Sequence, residues 1–167
     1  MTKKIIIAAA IGLLTANANA QNSNNQKTNV MKQEKNTFLN PKGLFNPIYN
    51  GFSHIGQVPA GTDLYFLSGQ WASDENGKLV STDFEEQVRK TLANIKIALA
   101  CAGMTTKNVV KQTIFIGDFT PEKKQILIKV ASQEWGAEIF PASSIIPLPM
   151  LATAIGCLIE VEIIATK

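Results

Sequence analysis

Few side chains in this sequence have the type and spacing that nucleophilic or metal chemistry needs. The chain of 167 residues contains one histidine, His54, and two cysteines, Cys101 and Cys157. A catalytic cysteine normally has a basic partner, and zinc sites are built from clusters of His and Cys, so we predict no metal site and no cofactor. The cysteines are interpreted as buried thiols that behave as small apolar side chains, with a disulfide between them as the alternative.

Two carboxylates in the last apolar segment are the other chemical groups of interest. This segment alternates in a strand pattern, so Ile159, Val161 and Ile163 point to one face of a sheet. Glu160 and Glu162 then point to the opposite face, about 7 Å apart. A sheet face that carries carboxylates among apolar neighbours is neither core nor ordinary solvent surface, so it indicates a face that a partner covers.

The strands that would carry these side chains follow from alternation, β-branched residues and turn residues. The pattern predicts five strands, over residues 52–58, 64–67, 109–116, 143–146 and 158–165. Pro147 interrupts the fourth strand. Because proline cannot donate to a strand ladder, we expect a bulge or an exposed sheet edge there.

Two amphipathic segments predict helices. In the first, Thr82 and Glu85 have the spacing of a capping box, and Gly103 fits the C-terminal end. The second begins with Pro121 at its first position and ends near Gly136. The element order is therefore ββαβαββ. Two helices covering one face of a mixed sheet give an α+β fold, a sandwich of two layers.

The chain begins with the three parts of a cleavable secretion signal. Lys3 and Lys4 form a positive n-region, residues 5–14 are almost entirely apolar, and residues 18–20 (Ala-Asn-Ala) form a small-x-small cleavage pattern. The apolar run is too short to span a membrane. We expect residues 1–20 to be removed and the protein to be periplasmic or secreted, with a buried N-terminal helix as the alternative.

The remaining chain is expected to hold a leader and one domain. Residues 21–37 are rich in Asn, Gln and Lys and predict a flexible leader, and residues 38–167 form the domain. Removing residues 1–20 takes away two lysines and no acidic residue, so the net charge falls from +3 to +1. A nearly neutral protein is not expected to bind nucleic acid, and no later segment is apolar and long enough for a membrane span.

A set of motifs in the predicted domain resembles the RidA (YjgF) family of imine deaminases. The motifs are Ser-Gly-Gln at 68–70, Gly77, Asp-Phe-Glu-Glu-Gln at 83–87, Asn-Ile at 94–95, Ala-Gly-Met at 102–104, Asn-Val-Val-Lys at 108–111, Phe-Pro-Ala at 140–142 and Ile-Glu-Val-Glu-Ile-Ile-Ala at 159–165. They run from about residue 50 to the end, in the family's order and spacing. Each motif is short, and together they identify the chain as similar to this family.

The resemblance implies a chorismate-mutase-like α+β fold that assembles as a homotrimer, with sheets inside and helices outside. It also implies three sites for a small-molecule ligand, in clefts between subunits. In such a site, an Arg directly after Pro-Ala binds the substrate carboxylate and a Glu on the last strand handles the attacking water. A Tyr near the first strand and backbone groups around Ser-Gly-Gln complete it.

Only part of that site is retained in this sequence. The Glu is present as Glu160, the predicted catalytic residue. Ser143 stands where the Arg is expected, and Phe52 stands where the Tyr is expected. The predicted ligand-binding residues are Phe52, Ser68, Gly69, Ser143 and Ile145. Two further residues have open roles: His54 is either an exposed strand residue or a polar group at the cleft, and Trp71 either covers the pocket or lies in the trimer interface.

Losing the Arg has a predictable cost. A guanidinium binds a carboxylate through two charge-assisted hydrogen bonds, whereas a serine hydroxyl offers one neutral donor. Losing a hydrogen bond to a charged group costs about 1.5–3 kcal/mol, which is roughly a tenfold to hundredfold loss in rate or affinity. We therefore expect a small-metabolite binder with weakened or lost deaminase activity. The alternatives are an active deaminase that uses Glu160, and a protein that acts only through its trimer surface.

Overall fold

The computed structural model describes residues 35–136 and 140–167, and the predicted signal and residues 21–34 of the predicted leader lie outside that part of the chain. Six strands, two α-helices and two single 3-10 turns are present there. The strands are β1 (Thr37–Leu39), β2 (Ile55–Gln57), β3 (Leu64–Trp71), β4 (Val109–Gly117), β5 (Ala142–Leu148) and β6 (Ile159–Thr166). The helices are α1 (Phe84–Cys101) and α2 (Pro121–Trp135), and the 3-10 turns span Ile48–Asn50 and Thr106–Asn108.

The main sheet has four strands in the order β3-β6-β4-β5. β4 and β5 are parallel, and the other two pairs are antiparallel, so the predicted mixed sheet is confirmed. The predicted strand over residues 52–58 is shorter, and it pairs with β1 in a separate antiparallel ribbon. β1 was not predicted from the sequence, and it begins at Thr37, the last residue of the predicted leader.

Both helices are confirmed, with one correction at the start of α1. Asp83, in extended backbone conformation, is the N-cap, and its side chain accepts a hydrogen bond from the Glu86 amide at 2.9 Å. The predicted capping box of Thr82 and Glu85 is wrong, because the chain enters the helix one residue later. α2 starts as predicted, with the Thr120 hydroxyl as its cap and proline in the first turn.

The helices cover one face of the four-stranded sheet, as the two-layer prediction requires. Apolar side chains of α1, α2, β4 and β6 form one core, centred on Val88, Ile95, Leu99, Ile116, Val130, Ile159, Val161 and Ile163. The alternation predicted for β6 is confirmed. We call the other side the open face; it carries Phe66, Lys111, Phe115, Ile146, Glu160, Glu162 and Ile164.

The two cysteines differ in environment and are not bonded to each other. Cys157 is buried as predicted, and its burial raises the pKa of its thiol. Cys101 is exposed at the last position of α1, so the prediction of a buried thiol is wrong there. The helix turns this residue away from the sheet. Within residues 35–136 and 140–167, neither helix is long and apolar enough to cross a membrane.

Candidate functional site

Within one chain, the predicted site residues fall into two groups on opposite sides of the main sheet. Phe52, Ser143 and Ile145 line a pocket between the sheet and the helices. Glu160 projects from the open face, where Gly69 of β3 lies against its side chain. The predicted residues therefore do not meet in one intramolecular cleft, and their roles stay predictions.

The pocket between α2 and the sheet, called the α2 pocket below, has a volume of about 240 Å³. Its described lining is mostly apolar, with four polar side chains. The lining residues are Asn50, Gly51, Phe52, Leu92, Gln112, Ile114, Lys124, Leu127, Ile128, Ala131, Phe140, Ser143, Ile145 and Val161. Such a mixture, an apolar cavity with a few polar groups, is typical of small-molecule sites.

Ser143 does not offer a free donor to a ligand. Its hydroxyl donates to the Pro141 carbonyl oxygen at 3.2 Å and accepts from Nε2 of Gln112 at 2.7 Å. Gln112 is its direct neighbour on β4, and both side chains face the helices. Because the single hydroxyl proton is already used, this position cannot bind a carboxylate as an Arg would without rearranging.

Lys124 supplies a positive charge to the α2 pocket. It lies in the first turns of α2, and its ammonium donates to Oδ1 of Asn50 at 3.1 Å. Sequence reasoning missed both Lys124 and Gln112 as pocket residues. The spacing of α2 shows which residues share a helix face, but the part of the sheet that this face meets depends on tertiary packing.

An aromatic cluster stands beside the pocket. The ring of Phe52 packs edge-on against Phe45 and His54, with centroids 5.9 and 5.6 Å away. His54 is half-buried in a bend before β2 rather than exposed on a strand, and Nε2 of its ring lies 2.9 Å from the Phe45 carbonyl oxygen. His54 therefore contacts Phe52, which lines the pocket, but His54 itself does not belong to the pocket lining.

Glu160 sits in a defined setting on the open face. Its cross-strand neighbours are Trp71 on β3 and Phe115 on β4, and its Oε2 accepts a hydrogen bond from the Thr153 hydroxyl. A Cβ added at Gly69 would lie 2.6 Å from Cδ and 2.8 Å from Cγ of Glu160. Glycine at position 69 is therefore what lets the carboxylate lie against the β3 backbone.

The loop that carries Thr153 is tied to α1 by a buried amide. Nε2 of Gln87 donates to the carbonyl oxygens of Gly156 and Ser81, at 2.8 and 2.9 Å. Its Oε1 accepts from the amide of Leu158 at 2.8 Å. Gln87 is fully buried, and all its hydrogen-bonding groups except one lone pair are used. It therefore positions the loop beside Glu160 without touching that site.

The open face matches the prediction of a surface that is neither core nor ordinary solvent surface. Phe66, the cross-strand neighbour of Ile164, is 73% exposed there, and Glu162 is exposed on the same face. Lys111 is partly buried, which lowers the pKa of its ammonium, and it donates to the Ser144 hydroxyl at 3.0 Å. Ser68, the remaining predicted ligand-binding residue, is exposed where the pairing of β3 with β6 is irregular.

A sequence model of the family described as endoribonuclease L-PSP matches residues 47–167. The chain belongs to this family. Rid-family relatives and structures also match, which confirms the predicted RidA (YjgF) membership. Among related sequences, a RutC family protein of Pyrococcus horikoshii is 32% identical over 66% of this chain and 83% of its own length. A 2-iminobutanoate/2-iminopropanoate deaminase of Salmonella typhimurium is 29% identical over 71% of this chain and 93% of its own length.

Solved structures confirm the α+β fold of this Rid-family chain. The Rid-family protein YyfB of Yersinia pestis superposes with a TM-score of 0.74 at 29% identity, over 80% of this chain and all of that one. A member of the YjgF/YER057c/UK114 family from Mycobacterium tuberculosis gives a TM-score of 0.53 at 26% identity, with 80% and 100% coverage.

Proposed function

We propose that this protein is an exported, homotrimeric member of the Rid family that binds a small metabolite and whose imine deaminase activity is weakened or lost. The observation that carries the proposal is the state of Ser143. It stands where the resemblance expects an Arg, and its hydroxyl proton is donated to the Pro141 carbonyl oxygen. The site therefore lacks the two charge-assisted donors that would hold a substrate carboxylate.

The division of the site between two faces of the sheet supports an assembly of several copies. A cleft that contained both Ser143 and Glu160 would need residues from two subunits, since one chain holds them on opposite sides. The apolar, partly charged open face is the surface that such a partner would cover, because Phe66 and Ile146 are exposed there. Export rests on the signal pattern of residues 1–20.

An active deaminase is the second candidate, and Glu160 is the reason to keep it. Thr153 and the close approach at Gly69 hold this carboxylate in one place, as a group that handles a water molecule requires. The related Salmonella protein is named a 2-iminobutanoate/2-iminopropanoate deaminase. The endoribonuclease description of the family is not extended to this chain, because its net charge without residues 1–20, which is +1, is small for phosphate binding.

The decisive experiment is a gain of activity. Residues 21–167 are compared with the same protein carrying Ser143→Arg and Phe52→Tyr, using release of ammonia from freshly generated 2-iminobutanoate. We expect turnover near background for the starting protein and a tenfold to hundredfold rise in the double variant, because a carboxylate-binding cation is restored. Adding Glu160→Gln should remove the gain.

A matched control is available on the outer surface of α2. Gln125 is exposed and lies outside the pocket lining, so Gln125→Arg adds the same charge away from both Ser143 and Glu160 and should not raise activity. High turnover by the unmodified protein would support the active deaminase instead. A folded double variant without any gain would show that the cleft is not a degenerate active site of this type.

Assembly is tested separately by light scattering on residues 21–167. The expected result is three times the monomer mass. A monomer at micromolar concentration would contradict the homotrimer, and with it a cleft built from two subunits.

A further inference from the structure

Six large apolar side chains are exposed in the loop that joins β1 to β2 and at its two ends. We call residues 40–54 the ribbon loop. The exposed side chains are Leu39, Leu44, Phe45, Ile48, Tyr49 and Ile55. We propose that the ribbon loop binds the surface of an anionic lipid bilayer, with its apolar side chains in the headgroup region. This inference goes beyond the proposed function and does not depend on it, because none of the six residues lines the α2 pocket.

The ribbon loop is held in a defined shape. The amide of His54 donates to Oδ1 of Asn40 at 2.9 Å, which joins the two ends of the loop. Leu39 and Ile55 are cross-strand neighbours, so their side chains lie on the same side of the ribbon. Pro47 in the middle of the loop is fully buried. A compact loop whose ends meet keeps its form through its own contacts, so its apolar side chains are presented as a fixed surface.

The exposed side chains suit the headgroup region of a bilayer. Tyr49 is 85% exposed, Phe45 62% and Leu44 57%. Side chains exposed to this degree protrude from the surface, whereas a site for a small molecule is concave. Tyrosine is favoured at membrane–water interfaces, because its ring is apolar and its hydroxyl remains hydrated. A contact of this kind needs no membrane span, since only the loop enters the headgroup region.

The charge around the loop complements an anionic surface. Residues 35–62 contain Lys35 and Lys42 and no aspartate or glutamate. Both lysines are exposed, and Lys42 lies between Leu39 and Leu44 in the chain. Lysines beside an apolar contact are attracted to anionic lipids. The same charges disfavour a contact between the ribbon loops of two copies, because like charges would then face each other. An anionic bilayer is therefore the partner that fits both the apolar side chains and the charge.

The test is sedimentation of residues 21–167 with lipid vesicles. Vesicles of equal parts phosphatidylglycerol and phosphatidylcholine are compared with vesicles of phosphatidylcholine alone, and we expect tighter binding to the anionic vesicles. Replacing both Leu44 and Tyr49 with serine should weaken this binding at least tenfold, because two side chains lose their apolar contact. Lys42→Gln should weaken it about fivefold on anionic vesicles and leave binding to phosphatidylcholine unchanged.

Ile97→Ser is the matched control, because this apolar side chain is 66% exposed in α1, outside the ribbon loop. It should leave vesicle binding unchanged. Tyr49→Trp provides a second measurement, since the added indole should shift its fluorescence to shorter wavelength when anionic vesicles are added.

The proposal is overturned if the protein does not bind anionic vesicles at millimolar lipid, or if it binds both kinds of vesicle equally. It is also overturned if Ile97→Ser weakens binding as much as Leu44→Ser does. A smaller assembly mass for the Leu44→Ser and Tyr49→Ser variant, measured by light scattering, would assign the loop to a contact between copies and overturn the lipid contact. The deaminase assays above have no bearing on these outcomes, so the two proposals fail separately.

Discussion

Replacing Gln87 with leucine tests how the loop beside Glu160 is held. The side chain is fully buried and makes three hydrogen bonds of 2.8–2.9 Å, to Ser81, Gly156 and Leu158. Leucine has a similar volume, so little cavity forms and the loss is mainly of these bonds. Each partner left without a hydrogen bond costs about 1–3 kcal/mol when buried.

Ser81 and Gly156 lie near the surface, where water can replace part of what is lost, so we expect the low end of that range at each site. The free energy of unfolding should fall by about 3 kcal/mol, and the melting temperature by roughly 10 °C for a domain of this size. Thermal and urea unfolding measure this change. Hydrogen exchange should also show faster exchange of the Leu158 amide, which loses its acceptor.

Gln125→Leu is the control, because this exposed glutamine on α2 makes no side-chain hydrogen bond in the described chain. Its melting temperature should stay close to that of the starting protein. If Gln87→Leu changed stability no more than the control, or left the exchange of Leu158 unaltered, the buried amide would not be what holds the loop.

Two more predictions concern carboxylates. Gly69→Ala places a methyl group against Glu160, whose side chain can rotate away, so the free energy of unfolding should fall by only about 1 kcal/mol. The activity gained by the Ser143→Arg and Phe52→Tyr variant should nevertheless be lost when Gly69→Ala is added. Retained turnover would contradict the contact between Gly69 and the Glu160 carboxylate. Lys96 donates to Glu134 at 2.6 Å, which lowers the pKa of that carboxyl from its ordinary value of 4.5. The pair therefore stabilises the fold above pH 4.5, and this stabilisation is lost as the pH falls through the lowered pKa. Glu134→Gln should therefore reduce the loss of melting temperature on acidification below pH 4.5, and an unchanged acid profile would count against this pair.

The long elements could be predicted from the sequence because their patterns are local. The apolar stripe of α1 and the alternation of β6 follow from helix and strand geometry, and both are found in the structure. The short strand β1 could not be predicted, since three residues hold too little pattern and its existence depends on pairing with β2. The cap of α1 was misplaced by one residue because Thr82 and Asp83 are both suitable caps, and only the path of the backbone decides between them.

For the candidate site, the sequence by itself determined which side chains are available and which face of β6 they share. Alternation alone directs Glu160 away from the core, and the residue after Pro141-Ala142 is a serine whatever the fold. Only the tertiary structure decided that Ser143 and Glu160 lie on opposite sides of the sheet and that Lys124 meets Gln112 across one pocket. The physical reason is that the relative positions of these residues depend on how α2 and the strands pack, although they are far apart in the chain. Residue spacing within one element contains no information about that packing.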